Sequence, residues 1–177
     1  MKVFIAGPRA ISKLNSEVLK RIDNIINNRF TILIGDAAGV DKAVQNYCTE
    51  MQYRDVKIFA SNGKARNNIG QWDVISIQIG NQIKGFDFYA AKDLAMANEA
   101  DYGFMIWNGK SKGTLNNIIN LTLLNKKVLV YFTPHKKFYV LKSIDDVKEL
   151  LGKNDDVTAK QFFTDQLSKN SSITLPI

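Results

Sequence analysis

Short apolar runs alternate with amphipathic segments along most of this chain. The apolar runs are rich in β-branched and aromatic residues, and each is followed within two residues by glycine, asparagine or proline. They are residues 2–6, 31–34, 56–60, 104–107 and 128–132. Such runs predict buried strands that end in turns. Apolar residues with helical spacing lie between or after them, at about 14–26, 40–51, 88–98 and 115–124. The alternation predicts a doubly wound α/β fold, with a mostly parallel sheet of five or more strands covered by helices on both faces.

One stretch interrupts this alternation. Residues 64–85 are polar and contain Gly70, Gly80 and Gly85. A connection of this length within one domain is uncommon unless it acts at a site, so we expect a functional loop or lid. A small hairpin at about 74–79 is the alternative.

The chain continues after the last of these strands with a short α/β pattern. Residues 138–141 predict a strand, and residues 143–151 and 158–167 predict helices. No change in composition marks a second domain. We therefore expect one domain over residues 1–133 and a C-terminal extension, residues 134–177, packed on it.

Composition narrows the classes of function. The chain has 177 residues, 45% hydrophobic and 23% charged, which is typical of a globular domain. Its net charge of +7 favours anionic partners such as nucleotides or nucleic acid. A single cysteine, Cys48, and a single histidine, His135, exclude an intrachain disulfide, a Cys/His zinc site and a Ser-His-Asp triad. We expect no metal and no cofactor.

Targeting signals are not apparent in the sequence. The first strand begins at Lys2, and no apolar run approaches the length of a membrane span. The expectation is a cytoplasmic protein without a membrane partner.

Three turns that follow predicted strands carry the candidate chemistry. Ligands of open parallel sheets bind outside the carboxyl ends of the strands, where helix N-termini and free backbone N–H groups converge. The turns span residues 7–9, 35–41 and 108–114. Their candidate ligand-binding residues are Gly7, Pro8, Arg9, Gly35, Asp36, Gly39, Asp41, Asn108, Gly109, Ser111, Gly113 and Thr114.

Cations and a helix start make these turns suited to anions. Arg9 offers a planar, permanently charged fork for phosphate. The third turn adds Lys110 and Lys112, and Thr114 is the expected N-cap of the helix that follows. Lys92 on the preceding helix could reach a phosphate; alternatively it forms a solvated charge pair with Asp93.

These features together resemble one superfamily. They are the Gly-Pro-Arg turn, the turn at 35–41, Lys92-Asp93 followed by Met96, Ala100-Asp101, and the Gly113-Thr114 helix start. Over about residues 1–133 the chain resembles the SLOG superfamily, which is named for the DNA-processing protein A and Lonely-guy families. The opening segment 4–8 is also similar to that of nucleoside 2-deoxyribosyltransferases. The resemblance implies a Rossmann-like fold that binds nucleotides or nucleotide-derived ligands.

The resemblance also assigns expected roles. It puts Gly7 and Arg9 near the base or ribose, residues 35–41 near phosphate, and Gly113-Thr114 at a second phosphate turn. Lys92 occupies a position where the family often has arginine. Asn117 is a departure, because phosphoribohydrolases of the Lonely-guy type have a catalytic glutamate there. An amide can neither stabilise an oxocarbenium-like transition state by charge nor act as the usual general base.

Three functions follow as expectations. The leading one is binding or sensing of a nucleotide-derived small molecule through the phosphate-cradling turns. The alternative is an N-glycosidase or deoxyribosyltransferase acting on nucleosides or their monophosphates, with Asp36, Asp93 or Asp101 as the replacement carboxylate. A further alternative is single-stranded nucleic acid binding, with Tyr89, Trp107 or Trp72 exposed for stacking. The sequence leaves open whether the chain is an enzyme, and the resemblance implies a homo-oligomer such as a dimer.

Overall fold

A computed structural model describes residues 1–173 and contains a seven-stranded sheet within that range. The strands are β1 (Lys2–Ala6), β2 (Thr31–Ile34), β3 (Val56–Ser61), β4 (Asp73–Ile77), β5 (Tyr102–Trp107), β6 (Val128–Phe132) and β7 (Lys137–Leu141). The helices are α1 (Ser16–Asn27), α2 (Val40–Glu50), α3 (Phe86–Glu99), α4 (Lys112–Leu123), α5 (Ile144–Gly152) and α6 (Val157–Ile173). A short 3₁₀ turn, Thr133–His135, links β6 to β7.

The strand order is β4-β3-β2-β1-β5-β6-β7. Strands β1 to β6 pair in parallel, and β7 pairs antiparallel with β6. The order reverses between β1 and β5, where the chain passes from one half of the sheet to the other. In open α/β sheets this switch point opens a crevice at the carboxyl ends of the strands. The predicted Rossmann-like doubly wound fold is confirmed.

Both faces of the sheet are buried. Ile5 and Phe104 belong to a core cluster with α1 and α2, whereas Phe4 and Met105 pack with α3 to α6 on the opposite face. Adjacent residues of one strand thus enter different cores, because successive side chains of a strand point to opposite faces. This explains why the central strands are continuous apolar runs rather than alternating ones.

The stretch at 64–85 is neither a lid nor a hairpin. Its residues Asp73–Ile77 form β4, which pairs in parallel with β3 at the edge of the sheet. The segment before β4 is fixed to the domain, since the indole N–H of Trp72 donates to the carbonyl of Tyr53 at 3.0 Å and the N–H of Ile69 donates to Gln45 Oε1 at 3.0 Å. Parallel pairing and these anchors correct the expectations of a lid and of a hairpin, whereas a functional role for the loop stays a prediction.

The C-terminal elements belong to the same body as the sheet. Strand β7 extends the sheet, and Leu150, Leu151 and Phe163 of α5 and α6 join the core cluster that contains α4. Helix α5 begins with a capping box in which Ser143 and Asp146 bond each other's backbone N–H groups. The division at residue 133 stays a prediction, and residues 174–177 of the expected extension lie outside the described residues.

Candidate functional site

A cleft of about 640 Å³ lies at the carboxyl edge of the sheet, at the switch between β1 and β5. The turns after β1 and β5 form its sides, together with parts of α3 and α4. The predicted residues that line it are Gly7, Pro8, Arg9, Asp41, Lys92, Asp93, Asn108, Ser111, Gly113, Thr114 and Asn117. The structure therefore brings most of the sequence-predicted site residues into one cavity.

The turn before α4 is folded by its own side chains. Asn108 Oδ1 accepts hydrogen bonds from the N–H groups of Lys110 and Ser111, at 3.0 and 2.9 Å. Ser111 is the N-cap, and its Oγ accepts from the Thr114 N–H at 3.3 Å. The expectation that Thr114 caps the helix is wrong, because Lys112 and Gly113 are already helical. The helix start that faces the cleft thus lies three residues earlier than predicted.

The turn at 35–41 supports the cleft from behind. Gly39 has φ +79°, and a Cβ there would collide with the backbone of Pro8 and Arg9. A Cβ on Gly35 would come within 3.0 Å of Lys92 Nζ and 2.5 Å of Asp41 Oδ2. Both glycines are therefore needed for close packing rather than for ligand contact. Of the candidates in this turn, only Asp41 reaches the cleft itself.

A buried lysine is surrounded by carboxylates at the floor of the cleft. Lys92 is 4% exposed, and its Nζ lies 3.1 Å from Asp36 Oδ1 and 3.8 Å from Asp93 Oδ1. The alternative of a solvated Lys92–Asp93 pair on an exposed helix face is wrong. Asp36 also accepts hydrogen bonds from the backbone and guanidinium of Arg66, at 3.0 and 2.7 Å. Buried charges are tolerated when paired and hydrogen-bonded in this way.

The carboxylates of this cluster differ in proton affinity. Burial raises the pKa of Asp36, but the hydrogen bonds and charges of Arg66 and Lys92 outweigh it and lower the pKa to about 2. Burial raises the pKa of Asp41 to about 7, against the opposing charge of Lys92. Burial also raises the pKa of Asp93. Asp36 is thus the stable counter-ion of Lys92, and the cleft-facing carboxyls hold their protons more tightly.

Asn117 leaves one acceptor without a partner. The residue is 2% exposed, and its Nδ2 donates to Asp93 Oδ2 at 3.1 Å. Its Oδ1 is buried and has no hydrogen-bond partner among the described residues. Because an orphaned buried acceptor is costly, a hydrogen-bond donor on a ligand is a natural partner for it.

An aromatic ring lies close to two arginines at the mouth of the cleft. Tyr89 is 42% exposed, and the guanidinium carbons of Arg9 and Arg66 lie 5.1 and 5.4 Å from its ring centroid. Sequence reasoning missed Arg66, although it closely follows the turn after β3. Applying the rule for carboxyl-end turns to Asn62 and Gly63 would have flagged it.

Several candidate residues lie elsewhere. Asp101 precedes β5 at the opposite edge of the sheet, where it accepts a hydrogen bond from the Lys2 N–H at 2.6 Å. Gly109, at φ +77°, belongs to the turn before α4 but is not among the residues that line the cleft, and its carbonyl accepts from Asn154 Nδ2 at 2.8 Å. Trp107 and Trp72 are buried, so they are not exposed for stacking as one expectation required.

The described residues contain neither a candidate metal centre nor a candidate membrane span. Within residues 1–173 no group of three or more His, Cys, Asp or Glu side chains is arranged to hold a metal ion. No helix in that range has the length and apolarity required to span a bilayer.

The fold is similar to that of two DNA-processing proteins. No protein-family model and no curated protein matches the sequence. DNA processing protein A from Helicobacter pylori, a structure described for its single-stranded DNA binding mode, aligns with 96% of this chain and 81% of its own, with a TM-score of 0.57 and 16% identity. DNA processing protein A from Streptococcus pneumoniae aligns with 84% of this chain, at a TM-score of 0.51 and 17% identity. This chain spans only 60% of that second protein's length. At these identities the similarity establishes a shared Rossmann-like fold.

Proposed function

We propose that this chain binds single-stranded nucleic acid, with one nucleotide of the strand held in the cleft. The observation that carries the proposal is the exposed Tyr89 ring, which lies close to Arg9 and Arg66 in the cleft that the turn before α4 also lines. An aromatic face suits a base, and guanidinium groups and a helix start suit phosphate. A nucleotide presents both chemistries.

An unpaired strand fits this arrangement better than a duplex. Stacking on Tyr89 needs a base face that is free of its neighbours, as in single strands. Lys110 and Lys112 at the rim of the cleft, together with the net charge of +7, favour the phosphate backbone. The single-stranded DNA binding described for the Helicobacter pylori protein of similar fold also supports the proposal.

A free nucleotide-derived small molecule is the second candidate. The volume and lining of the cleft support this candidate. The cleft measures about 640 Å³, and its lining includes Asn117, whose Oδ1 has no hydrogen-bond partner among the described residues. Small-molecule sites usually measure about 300–1,000 Å³ and contain a few convergent polar groups. A binding or sensing protein of this kind would need no catalytic carboxylate.

Fluorescence anisotropy with a labelled 12-nucleotide single strand tests the main proposal. The wild type should bind the strand more tightly than the matching duplex, and affinity should fall with salt. Tyr89→Ala should weaken binding by about tenfold to a hundredfold, because one base loses its stacking partner. Tyr89→Phe, which keeps the ring, is the matched control and should bind almost as well as the wild type.

Two results would contradict the proposal. One is equal affinity for single strand and duplex, and the other is equal loss in Tyr89→Ala and Tyr89→Phe. Binding of nucleoside monophosphates without any binding of the 12-mer would favour the small-molecule candidate instead.

A further inference from the structure

A second basic region lies at the same edge of the sheet as the cleft. Because β6 runs parallel to β5, the turn that follows β6 emerges beside the turn that follows β5. It carries three successive exposed residues, His135, Lys136 and Lys137. Basic residues thus follow two neighbouring strands at one edge, although the cleft itself uses only the first set.

An aromatic ring lies among these charges. Tyr139 on β7 is half-buried, and the Nζ atoms of Lys137 and Lys153 lie 5.6 and 4.9 Å from its ring centroid. Its hydroxyl is 3.2 Å from His135 Nδ1. A ring flanked by cations repeats the chemistry of Tyr89 with Arg9 and Arg66 at the mouth of the cleft.

Direct contacts join this region to the turn before α4, residues 108–114. The Gly109 carbonyl accepts from Asn154, the residue that follows Lys153. Phe132 packs its ring against that of His135, with centroids 4.8 Å apart, and it also lies against Gly109. These contacts run through the buried residues Phe132 and Asn154, and they hold the second basic region next to the rim of the cleft.

We propose that this surface binds the single strand beyond the nucleotide held in the cleft. The basic-aromatic surface consists of Lys110, Lys112, His135, Lys136, Lys137, Tyr139 and Lys153. The inference rests on the proposed function and adds the path of the strand, from the cleft across the α4 turn to the β6–β7 turn. Cations beside an aromatic face suit the alternating phosphates and bases of a single strand.

The charge balance supports a polyanion as the partner. The surface carries five lysines, whereas the acidic residues that border it near Lys153 are Glu149, with Oε1 4.0 Å from Lys153 Nζ, and Asp155. An excess of positive charge beside an aromatic ring favours nucleic acid over an acidic small molecule, which the cleft alone could hold.

The test compares two double charge reversals in the full chain. Lys137→Glu with Lys153→Glu alters the surface, and Lys148→Glu with Lys160→Glu makes the same charge change at exposed positions of α5 and α6. The first variant should bind the 12-mer at least about tenfold more weakly and lower the slope of log affinity against log salt by about 1.4, the value for two lost phosphate contacts. The control should stay within about threefold of wild type.

A mononucleotide separates this inference from the proposed function. Nucleoside monophosphate affinity, measured by equilibrium dialysis, should be the same in the surface variant and the wild type, because the cleft is intact. Unchanged 12-mer binding by the surface variant, or an equal loss in the control, overturns the inference while leaving the cleft proposal standing. A wild type that binds no oligonucleotide overturns the proposed function itself.

Discussion

Lys92 is the residue on which the floor of the cleft depends. Its buried ammonium group interacts with the carboxyl groups of Asp36, Asp41 and Asp93. Within the described part of the chain, no exposed lysine lies in a comparable cluster of carboxyl groups. Replacing it would leave buried carboxylates without their common cation. The same residue therefore maintains the fold and supplies positive charge to the site.

Removal of this cation should destabilise the protein strongly. We expect Lys92→Met to lower the free energy of unfolding by about 3 kcal/mol, since breaking a buried ion pair leaves an uncompensated charge. Urea denaturation measures the loss. Lys42→Met, at an exposed position of α2, is the control and should change stability by less than about 0.5 kcal/mol. Equal stability of the two variants would show that the carboxylates do not need Lys92.

Asp41 should make stability depend on pH in an unusual direction. Its pKa is about 7 in the folded protein and near 3.8 when unfolded, so the folded state holds the proton more tightly. Its contribution to stability is therefore present below about pH 4 and is lost as the pH rises through 7. The raised pKa of Asp93 acts in the same direction. Asp36 has the opposite effect, because its pKa of about 2 lies below the unfolded value of 3.8. Its contribution to stability is lost only as the pH falls from about 4 to 2.

Asp41→Asn tests this linkage. Compared with wild type, the variant should gain stability at pH 8 relative to pH 5, as measured by urea denaturation at both values. Asp145→Asn, with a side chain that is 92% exposed, should leave the difference between the two pH values unchanged. A wild-type stability that rises steadily from pH 5 to 8, unaltered by Asp41→Asn, would contradict the assignment.

Asn117 separates a binding protein from a glycosidase. It is buried beside Asp93 at the cleft and does not face solvent. Wild type should bind a nucleoside monophosphate without releasing base, whereas Asn117→Glu restores a carboxylate where positive charge would develop and should show slow release by chromatography. Asn120→Glu, on the same helix, is the control. Base release by wild type that is lost in Asp93→Asn but not in Asn117→Ala would favour the glycosidase.

At the scale of elements, burial decides what sequence patterns can predict. Strands β1, β2 and β6 have the predicted bounds because each is an apolar run enclosed by turn residues. Strand β4 was missed because an edge strand alternates with polar positions, and Val74 is exposed. The start of α4 was misplaced because the Asn108 side chain, rather than Thr114, organises the turn. These hydrogen bonds are local, from the N–H groups two and three residues after Asn108, so the Asn and the Ser N-cap of this turn were open to sequence rules that were not applied to them.

The same limit applies to the site. Periodicity and turn rules placed the turns after β1 and β5 at one edge, since the ends of parallel strands must meet there. They could not reveal that Asp36 turns away from the cleft to bind Arg66 and Lys92. The same rule does place Asp101 at the opposite edge, because this residue precedes β5 instead of following it. Side-chain direction depends on packing between elements that are distant in sequence.

Helix α4 and the C-terminal elements are coupled through Asn154. This residue is 6% exposed and donates from Nδ2 to the Gly109 carbonyl. Asn154→Ala should cost about 1–3 kcal/mol of stability by leaving a buried carbonyl unpaired. It should also speed amide hydrogen exchange within residues 108–114 and weaken 12-mer binding. Asn98→Ala, at an exposed position, is the control, and protection of 108–114 that is unchanged in both variants would contradict the coupling.

At the scale of the whole molecule, the fold brings basic residues from four turns to one edge of the sheet. The turns after β1, β3, β5 and β6 emerge on the same side, and they bring Arg9, Arg66, Lys110 and Lys137 to that edge. The opposite edge holds the pairing of Lys2 with Glu99 and Asp101. Composition alone could not predict that these four cations meet at one edge of the sheet.

Variants of Gly113 test nucleotide binding through the melting temperature of the whole protein. A Cβ at Gly113 would meet nothing within 4 Å, so both alanine and aspartate fit there without steric conflict, and their effects differ by charge. At a concentration one hundred times its Kd, a nucleotide ligand should stabilise wild type by about 2.7 kcal/mol, which raises Tm by roughly 5–10 °C. Gly113→Ala should keep this shift, whereas Gly113→Asp should abolish it by repelling phosphate at the start of α4. Differential scanning fluorimetry with nucleoside monophosphates and with the 12-mer measures both.

A shift that survives in Gly113→Asp would mean that the phosphate is bound elsewhere, and a wild-type melting curve unchanged by either ligand class would contradict both proposed functions.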